Sequence, residues 1–309
     1  MKVTIIGAGA MGSLYAAFMA AKNHVVDVVD PWEEHINEIQ NNGLKLDGPY
    51  GKLRVDSIKT HTSLDTISNS NIYIIATKSF EVEQVAKQLA PRIKSHELVI
   101  TIQNGLGSAE KVAKNINEGN IIIGVAEGFG SSIVKPGHVH HNAMNLIRLG
   151  EMKKTNSKRL NDLTNFWINC GFRAKTFHNI DLLIWEKFIC NVTFSGPCTV
   201  FNCNLGDLMS SKDQWEIALG CMKEAYKIGM IKGLSFSFQN PVDYVLEFGR
   251  RMPNAKPSML LDLEAKRLSE IDAINGMVLE LGKKVGVETP FNQIITSLIL
   301  LKEKNIRMR

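Results

Sequence analysis

One helical stretch of the sequence places three polar side chains on a single face. Residues 180–195 are apolar around most of the predicted helix, but Lys187, Asn191 and Ser195 recur at intervals of four residues and therefore form one polar stripe. An ammonium group on a buried helix is costly unless an ion or a ligand accompanies it, and it can hold an anion or give up a proton. The ordinary alternative, a solvated surface lysine, is less favoured beside so many apolar neighbours.

A carboxylate partner for this lysine is available further along the chain. Glu270 and Asp272 lie in the region predicted to be helical over residues 258–286. The segment that starts with these two carboxylates is expected to form a long helix. A carboxylate at the start of a helix is stabilised by the helix dipole and needs no other role. The alternative is that one of the two folds back to pair with Lys187.

A glycine-rich loop lies near the N-terminus. It has the form GxGxxG, follows a strand predicted over residues 3–6 and opens a helix predicted over 10–22. In that context the glycines permit a tight turn, a close approach of backbone to pyrophosphate and close packing of helix on strand. The loop therefore predicts a dinucleotide site, with a nucleotide-free strand–turn–helix as the alternative. Its residues are Gly7, Ala8, Gly9, Ala10, Met11 and Gly12.

The cofactor predicted from this loop is NAD(H) in preference to NADP(H). Asp30 follows the second predicted strand, where a carboxylate binds the ribose hydroxyls and repels a 2′-phosphate. Lys22 and Lys78 are possible partners for a 2′-phosphate, so Asp30 alone leaves the choice open. Trp32 is expected either to cover the adenine or to pack on the rim of the sheet.

Other candidate sites are weaker. His138, His140 and His141 lack a third ligand of suitable type, so a solvated edge strand is favoured and no metal is expected. The five cysteines are odd in number and contain no CxxC, which is typical of reduced thiols in a cytoplasmic protein. No signal peptide or membrane-spanning stretch is evident.

Composition and charge narrow the class of ligand. The 309 residues are 44% hydrophobic and 22% charged, as in globular proteins. The first 150 residues carry no net charge, and the whole excess of +5 falls in residues 151–309. This modest excess favours a small anionic substrate over nucleic acid, and neither nucleic acid nor a membrane is expected as a partner. A homodimer is a possible assembly.

The order of predicted elements indicates two domains. Uninterrupted Val/Ile runs alternate with helices up to about residue 170, which is typical of a mostly parallel sheet covered on both faces. A hairpin is expected over residues 44–59 and a late edge strand over 138–149. Long helical stretches follow. We therefore predict an α/β Rossmann-type N-terminal domain over 1–170, followed by an all-α C-terminal domain over 171–309.

Several motifs together resemble the ketopantoate reductase family, in the family's order and over nearly the whole chain. Each motif alone is unspecific, whereas the combination is specific. Besides the glycine loop they are Ala76–Lys78, Gln103–Gly107, Trp185–Phe188 with Asn191, Pro257–Leu260 and Ser269–Gly276. The resemblance implies reduction of a 2-oxo acid, typically 2-dehydropantoate, to the (R)-2-hydroxy acid with a nicotinamide cofactor, in a cleft between a Rossmann domain and a helical domain.

The resemblance also implies roles for individual residues. Lys187 matches the proton donor, and Glu270 matches a carboxylate that contacts the cofactor and orders that lysine. Asn104 matches an asparagine between nicotinamide and substrate. Hydride delivery to an oxo acid creates an alkoxide, for which an ammonium supplies both a proton and a positive charge. Asn191 and Ser258 match substrate positions, and Ser195 occupies a further substrate position with a different residue type. Ser131 matches, more loosely, a small residue whose backbone touches the cofactor, and Lys78 is a further candidate cofactor residue.

Three departures from the family pattern leave other functions open. Asp30 replaces a common arginine, and Ser195 and Leu205 stand where the family has asparagines. These changes favour NAD and weaken the specific prediction of 2-dehydropantoate. The alternative within the family is an NAD-dependent D-2-hydroxyacid dehydrogenase for branched or aromatic 2-oxo acids. A non-catalytic nicotinamide sensor is a third hypothesis, which the retained Lys187 and Glu270 disfavour.

Overall fold

The chain folds into two compact units. A computed structural model describes residues 1–49, 51–128, 130–153 and 157–307. The first unit comprises residues 1–103 and 108–180, and the second comprises residues 104–107 and 181–309. Residues 171–180 lie with the first unit because a strand within them pairs with the main sheet. The sequence-based boundary after residue 170 stays a prediction, and the last two residues of the predicted helical domain, 308 and 309, lie outside the described residues.

The first unit contains two β-sheets and five α-helices among its described residues. The strands are β1 (Lys2–Ile6), β2 (Val25–Val29), β3 (Leu44–Asp47), β4 (Leu53–Val55), β5 (Lys59–His61), β6 (Ile72–Ile75), β7 (Leu98–Thr101), β8 (Ile121–Glu127), β9 (Gly130–Lys135), β10 (His138–Ala143), β11 (Leu146–Glu151) and β12 (Ala174–Thr176). The helices are α1 (Ala10–Ala20), α2 (Glu33–Asn42), α3 (Val82–Leu89), α4 (Ser108–Ala113) and α5 (Lys158–Asn169).

The main sheet has eight strands in the order β12-β11-β8-β7-β6-β1-β2-β5. Its pairings are parallel except for β11 against β8. The central strands β6 and β7 are buried along their whole length, which explains why their sequences are continuous apolar runs without alternation. The predicted Rossmann-type fold is confirmed. Because strands β6 and β2 flank β1, the carboxyl ends of all three meet at one edge of the sheet.

A second sheet of four strands, β4-β3-β10-β9, was not predicted. The hairpin expected over 44–59 is formed only by β3 and β4, since β5 pairs with β2 in the main sheet. The single edge strand expected over 138–149 is wrong: β10 pairs with β3 and β9, whereas β11 pairs with β8. The parallel β10–β3 pairing joins segments about ninety residues apart, so no local pattern reveals it.

Two of the singled-out histidines flank one carboxylate in this small sheet. His138 Nε2 lies 2.8 Å from Asp47 Oδ2, and His140 Nδ1 lies 2.5 Å from Asp47 Oδ1. His141 lies on the other face and is buried against Phe18. Within the described part of the chain, no group of three or more His, Cys, Asp or Glu side chains is arranged to hold a metal ion.

Replacing Asp47 with asparagine is expected to lower the melting temperature at neutral pH. Hydrogen bonds to His140 and His138 lower the pKa of Asp47. Its stabilising contribution is therefore complete above the ordinary pKa of about 4 and is lost as the pH falls through the lowered value. The difference in melting temperature between wild type and Asp47→Asn should shrink below about pH 4. Thermal melts followed by circular dichroism measure it, and a difference that persists unchanged in acid would contradict this account.

The second unit is helical in its described residues. Its helices are α6 (Ile180–Phe201), α7 (Leu205–Ser210), α8 (Lys212–Ile231), α9 (Pro241–Arg251), α10 (Ser258–Glu264), α11 (Asn275–Val285) and α12 (Pro290–Arg307), with a 3₁₀ turn over Ile271–Ala273. The buried residues of α6 form much of the core, and the hydroxyls of Thr193 and Thr199 donate to carbonyl oxygens one turn back within the helix. The predicted all-α C-terminal fold is confirmed.

The single helical stretch expected over 258–286 is wrong. It is divided into α10, the 3₁₀ turn and α11. Lys266 adopts φ +56°, which ends the first helix. The amide and hydroxyl of Ser269 donate to Glu303 Oε1 at 2.8 and 2.6 Å instead of continuing a helix. Glu303 is buried on α12, so a side chain distant in sequence creates the break.

All five cysteines are free thiols. Burial raises the pKa of Cys170 to about 11 and also raises the pKa of Cys198 and Cys221. Neutral thiols of this kind behave as small apolar side chains. None of the described helices is both long and apolar enough to span a membrane.

Candidate active site

The glycine loop lies between β1 and α1 and has little space for side chains within the protein. Gly7 has φ +99°, and a Cβ on it would lie 2.7 Å from the amide nitrogen of Thr77. A Cβ on Gly12 would lie 1.8 Å from the carbonyl oxygen of Gly7. Gly9 differs, because a Cβ there would meet nothing within 4 Å. Since Gly9 is the N-cap of α1, open space lies next to the amides of the first turn.

Asp30 lies directly against this loop. Its Oδ2 accepts a hydrogen bond of 2.6 Å from the amide of Ala8, and its Oδ1 accepts one of 2.9 Å from the amide of Trp32. Each carboxylate oxygen can accept a further hydrogen bond. Asp30 thus orders the loop, and it keeps acceptor capacity for a ribose hydroxyl.

A second carboxyl group near Asp30, that of Glu81, was not predicted from the sequence. Glu81 is the N-cap of α3, and its amide donates to the carbonyl oxygen of Lys78 at 3.0 Å. Partial burial, followed by the negative charge of Asp30, raises the pKa of the Glu81 carboxyl. The sequence signal for this proximity is that Asp30 and Glu81 follow two predicted strands, β2 and β6. In the structure both strands flank β1, so their carboxyl ends lie at the same edge of the sheet.

Trp32 is connected with the glycine loop through ring stacking on His35 and hydrogen bonds that continue from His35. The indole of Trp32 stacks on the ring of His35 at a centroid distance of 4.7 Å. The amide of Gly137 donates to His35 Nδ1, so Nε2 carries the proton and donates to Ser13 Oγ, which in turn donates to the carbonyl oxygen of Ala8. Burial lowers the pKa of His35, in agreement with a neutral ring.

This arrangement settles how Trp32 packs on the protein. The side chain rests on His35 and remains 37% exposed. One face of the indole is therefore used within the protein, and its role as a cover for adenine stays a prediction. His35 and Ser13 were not singled out from the sequence, since neither carries a motif.

Ser131 is brought to the same loop. It lies in β9, and its hydroxyl is 3.2 Å from the sulfur of Met11. A residue predicted only from a loose motif match thus contacts the predicted dinucleotide site within the first unit. Its contact with a cofactor stays a prediction.

The predicted proton donor has a fixed partner in the second unit. Lys187 Nζ donates to Asn104 Oδ1 at 2.9 Å. Lys187 is half-buried on α6, between the buried side chains of Glu186 and Phe188. Both residues are predicted to belong to one site, and the structure brings their side chains together.

Asn104 is held in place by its own short segment. Gly105 has φ +83°, and a Cβ on it would lie 2.1 Å from the carbonyl oxygen of Ala273. The amide of Leu106 donates to that same oxygen at 3.0 Å. Only glycine therefore permits this close approach of the segment to the 3₁₀ turn.

The same turn carries Glu270. This residue is buried and immediately precedes the turn, and Glu303 fixes its neighbour Ser269. The contact between Leu106 and Ala273 joins two backbone segments. One of them carries Asn104, and the other carries Glu270. The predicted pairing of Glu270 or Asp272 with Lys187 stays a prediction.

The predicted substrate residues differ in their surroundings. Asn191 is half-buried one turn after Lys187 on α6, and Ser195 is buried a turn further along. Ser258 is exposed at the first residue of α10. Asn275 Nδ2 donates to the carbonyl oxygen of Val192 at 3.1 Å, which anchors α11 beside this stretch of α6. The polar stripe predicted from the sequence therefore lies on one helix, whereas Ser258 lies on α10, and its role at the substrate stays a prediction.

Family models match both parts of the chain. The model described as ketopantoate reductase PanE/ApbA matches residues 3–154, and the model described as ketopantoate reductase PanE/ApbA C terminal matches residues 179–303. Together they leave only short segments unmatched. The chain belongs to the ketopantoate reductase family.

Individual relatives agree with this membership. The chain is 29% identical over 304 residues to the 2-dehydropantoate 2-reductase of Streptococcus pyogenes serotype M3, covering 98% of each protein. It is 28% identical to that of Aquifex aeolicus, covering 98% of this chain and 97% of the other. Among solved structures, 2-dehydropantoate 2-reductase from Geobacter metallireducens is 27% identical, with a TM-score of 0.89. The match covers 97% of this chain and 99% of the other. D-mandelate dehydrogenase with NADH and anilino(oxo)acetate has the same fold, at 24% identity, a TM-score of 0.90 and 99% coverage of both chains.

Proposed function

We propose that this protein is a nicotinamide-dependent reductase that converts a 2-oxo acid to the (R)-2-hydroxy acid, with 2-dehydropantoate as the leading substrate. The observation that carries the proposal is the 2.9 Å hydrogen bond from Lys187 to Asn104. It holds an ammonium group on a largely buried helix, in a family whose relatives are 2-dehydropantoate 2-reductases.

The glycine loop fits a dinucleotide. A Cβ on Gly9 would fill space that no protein atom occupies, next to the N-terminal amides of α1, and this is where a pyrophosphate would be bound. When bound, the nicotinamide supplies the hydride. The residues that we propose to hold the cofactor are Gly7, Ala8, Gly9, Ala10, Met11, Gly12, Asp30, Lys78, Asn104, Ser131 and Glu270.

Lys187 is the proposed proton donor. Hydride addition to C2 of the oxo acid leaves a negative charge on its oxygen, and the ammonium stabilises this charge and then transfers a proton to it. Asn104 Oδ1 orients the ammonium by accepting a hydrogen bond from one of its three N–H groups. Asn191, Ser195 and Ser258 are the proposed donors to the carboxylate and hydroxyl groups of the substrate.

An initial-rate screen of 2-oxo acids with NADH and NADPH side by side tests the proposal. We expect turnover of 2-dehydropantoate that depends on a reduced nicotinamide. Failure to oxidise either cofactor across a broad panel of oxo acids would favour the non-catalytic sensor.

A D-2-hydroxyacid dehydrogenase is the second candidate. It is favoured by Ser195 and Leu205, which stand where the family has asparagines. Both residues are buried, and they offer a small hydroxyl and an apolar side chain instead of two amides. Comparing kcat/KM for 2-dehydropantoate and 2-oxoisocaproate separates the two candidates. A higher value for 2-oxoisocaproate would assign the protein to this second activity.

For the cofactor we propose NAD(H) in preference to NADP(H). Asp30 accepts a hydrogen bond from the glycine loop, where it would lie close to the 2′-phosphate of NADPH. Burial and then the charge of Asp30 raise the pKa of Glu81, which indicates a second carboxyl group nearby. Bringing a phosphate dianion near two carboxylates is unfavourable.

Replacing Asp30 with alanine is expected to improve relative binding of NADPH over NADH by at least about tenfold, because a repulsive charge is removed. Glu81→Gln should shift the same ratio in the same direction, but less. Titration of NADH and NADPH fluorescence measures both dissociation constants. Glu118→Gln removes an exposed charge elsewhere in the first unit and serves as the control. An unchanged ratio of NADPH to NADH affinity in both test variants would refute the role of these charges.

A further inference from the structure

A series of buried polar side chains connects α8, α12, α11 and α6 within the second unit. It begins with Glu224 on α8 and continues to Asn292 on α12. From there it passes to Asn275 on α11 and ends at the carbonyl oxygen of Val192 on α6. Both asparagines are completely buried. Desolvation of amides and carboxylates is costly, so their hydrogen-bond partners determine how these helices can pack.

The Glu224 end of the series fixes the orientation of Asn292. The backbone amides of Phe291 and Asn292 donate to the two carboxylate oxygens of Glu224 at 2.9 and 3.0 Å, in the first turn of α12. The side-chain amide of Asn292 donates to Glu224 Oε2 at 2.6 Å and to the carbonyl oxygen of Cys221 at 3.0 Å. Carboxylates and carbonyl groups only accept, so the nitrogen of this amide faces α8 and Oδ1 faces away.

This orientation in turn fixes that of Asn275. Asn292 Oδ1 accepts a hydrogen bond of 2.9 Å from Asn275 Nδ2, whose other hydrogen bond, of 3.1 Å, goes to the carbonyl oxygen of Val192. Asn275 Oδ1 has no hydrogen-bond donor among the described residues, and a Cβ on Gly196 would lie 2.4 Å from it. The amide of Asn275 is therefore in close contact with one turn of α6.

The contact lies next to an interruption in α6. Pro197 is inside this helix and has no N–H to donate to the carbonyl oxygen of Thr193. Helices commonly bend where proline removes a hydrogen bond. The hydrogen bond from Asn275 reaches Val192, the residue directly before Thr193. Asn275 thus stabilises α6 where its own hydrogen bonding is reduced.

The same segment of α6 carries two proposed substrate residues. Asn191 directly precedes Val192, and Ser195 follows it by three residues. Lys187 lies one turn before Asn191 and donates to Asn104. The substrate residues and the proton donor are therefore stabilised by different neighbours.

We propose that Asn275 is a positioning residue for substrate recognition, which orients Asn191 and Ser195 by fixing their segment of α6. This inference rests on the proposed function, since it concerns affinity for the 2-oxo acid. Interactions that are equally strong in the bound substrate and in the transition state affect KM and leave kcat unchanged. Loss of the contact should therefore raise KM.

Steady-state kinetics of Asn275→Leu tests the proposal. Leucine has the same branched shape but no amide, and we expect KM for the 2-oxo acid to rise about tenfold, as when a hydrogen bond to a ligand is lost. The value of kcat should change less than about threefold. Gly196→Ala, which places a methyl group against Asn275 from the side of α6, should have the same effect.

Val278→Ala is the matched control, because Val278 is buried on α11 one turn after Asn275. It should lower the melting temperature and leave KM unchanged. A wild type that turns over no 2-oxo acid would refute the proposed function itself. An active wild type whose KM is unaffected by both test variants, or is raised equally by Val278→Ala, would overturn only the role of Asn275.

Hydrogen exchange measures the effect on α6 without substrate. Asn275→Leu should accelerate amide exchange over residues 193–201 at least about fivefold and leave α9 unchanged. If Asn275→Leu does not fold, Gly196→Ala provides both measurements. Unaltered exchange of α6 in a folded variant would contradict the proposal.

Discussion

Replacing Lys187 with alanine is expected to lower kcat by about three orders of magnitude, because the developing alkoxide loses both its proton donor and its adjacent positive charge. The dissociation constant of the dinucleotide should change little, since the glycine loop and Asp30 lie in the other unit. Steady-state kinetics with the best 2-oxo acid and fluorescence titration of the reduced cofactor measure the two effects separately.

Two further variants support the interpretation of this result. Lys232→Ala removes an exposed lysine just after α8 and should keep wild-type kinetics. It therefore controls for the effect of removing one positive charge from the protein. Asn104→Ala removes the hydrogen-bond acceptor of Lys187 and should reduce kcat less than loss of the lysine itself. Turnover of Lys187→Ala close to that of wild type would exclude Lys187 as the proton donor.

Replacing Gly9 with alanine is expected to weaken dinucleotide binding by about 50- to 100-fold without destabilising the protein. A Cβ on Gly9 meets nothing within 4 Å, and the residue has φ −61°, which alanine adopts readily. A bound pyrophosphate, however, would meet the new methyl group. Loss of one or two charge-assisted hydrogen bonds from backbone amides corresponds to roughly 2–3 kcal/mol.

Gly12→Ala provides the contrast. Its Cβ would lie 1.8 Å from the carbonyl oxygen of Gly7, so this variant should lower the melting temperature as well as cofactor binding. Thermal melts and cofactor titration of both variants distinguish a steric effect on the protein from one on the ligand. Normal cofactor affinity in a well-folded Gly9→Ala protein would contradict the placement of the pyrophosphate.

The parts of the site that could be predicted from the sequence are those encoded by local spacing. The glycine loop follows a strand and opens a helix, and Lys187, Asn191 and Ser195 share one helical face, so short segments suffice to reveal them. The resemblance to a family added Asn104, which no local pattern connects with Lys187. The structure then supplied the distance between the two.

The features that escaped prediction depend on contacts between distant segments. The second sheet requires β10 to pair with β3, and the break after α10 requires Glu303 to bind Ser269. The hydrogen-bonded chain through His35 and Ser13 likewise joins residues without a shared motif. In each case the local sequence is compatible with another structure, and tertiary contacts decide between them.

The grouping of residues 104–107 with the helical unit has a consequence for synthesis and dissection of the protein. The asparagine that orients the reactive lysine leaves the ribosome long before the helix that carries this lysine. An expressed fragment that begins at residue 181 would contain Lys187 and Glu270 but would lack Asn104. The helical unit is thus discontinuous in sequence, and a gene fragment cut at either boundary cannot encode the complete environment of the lysine.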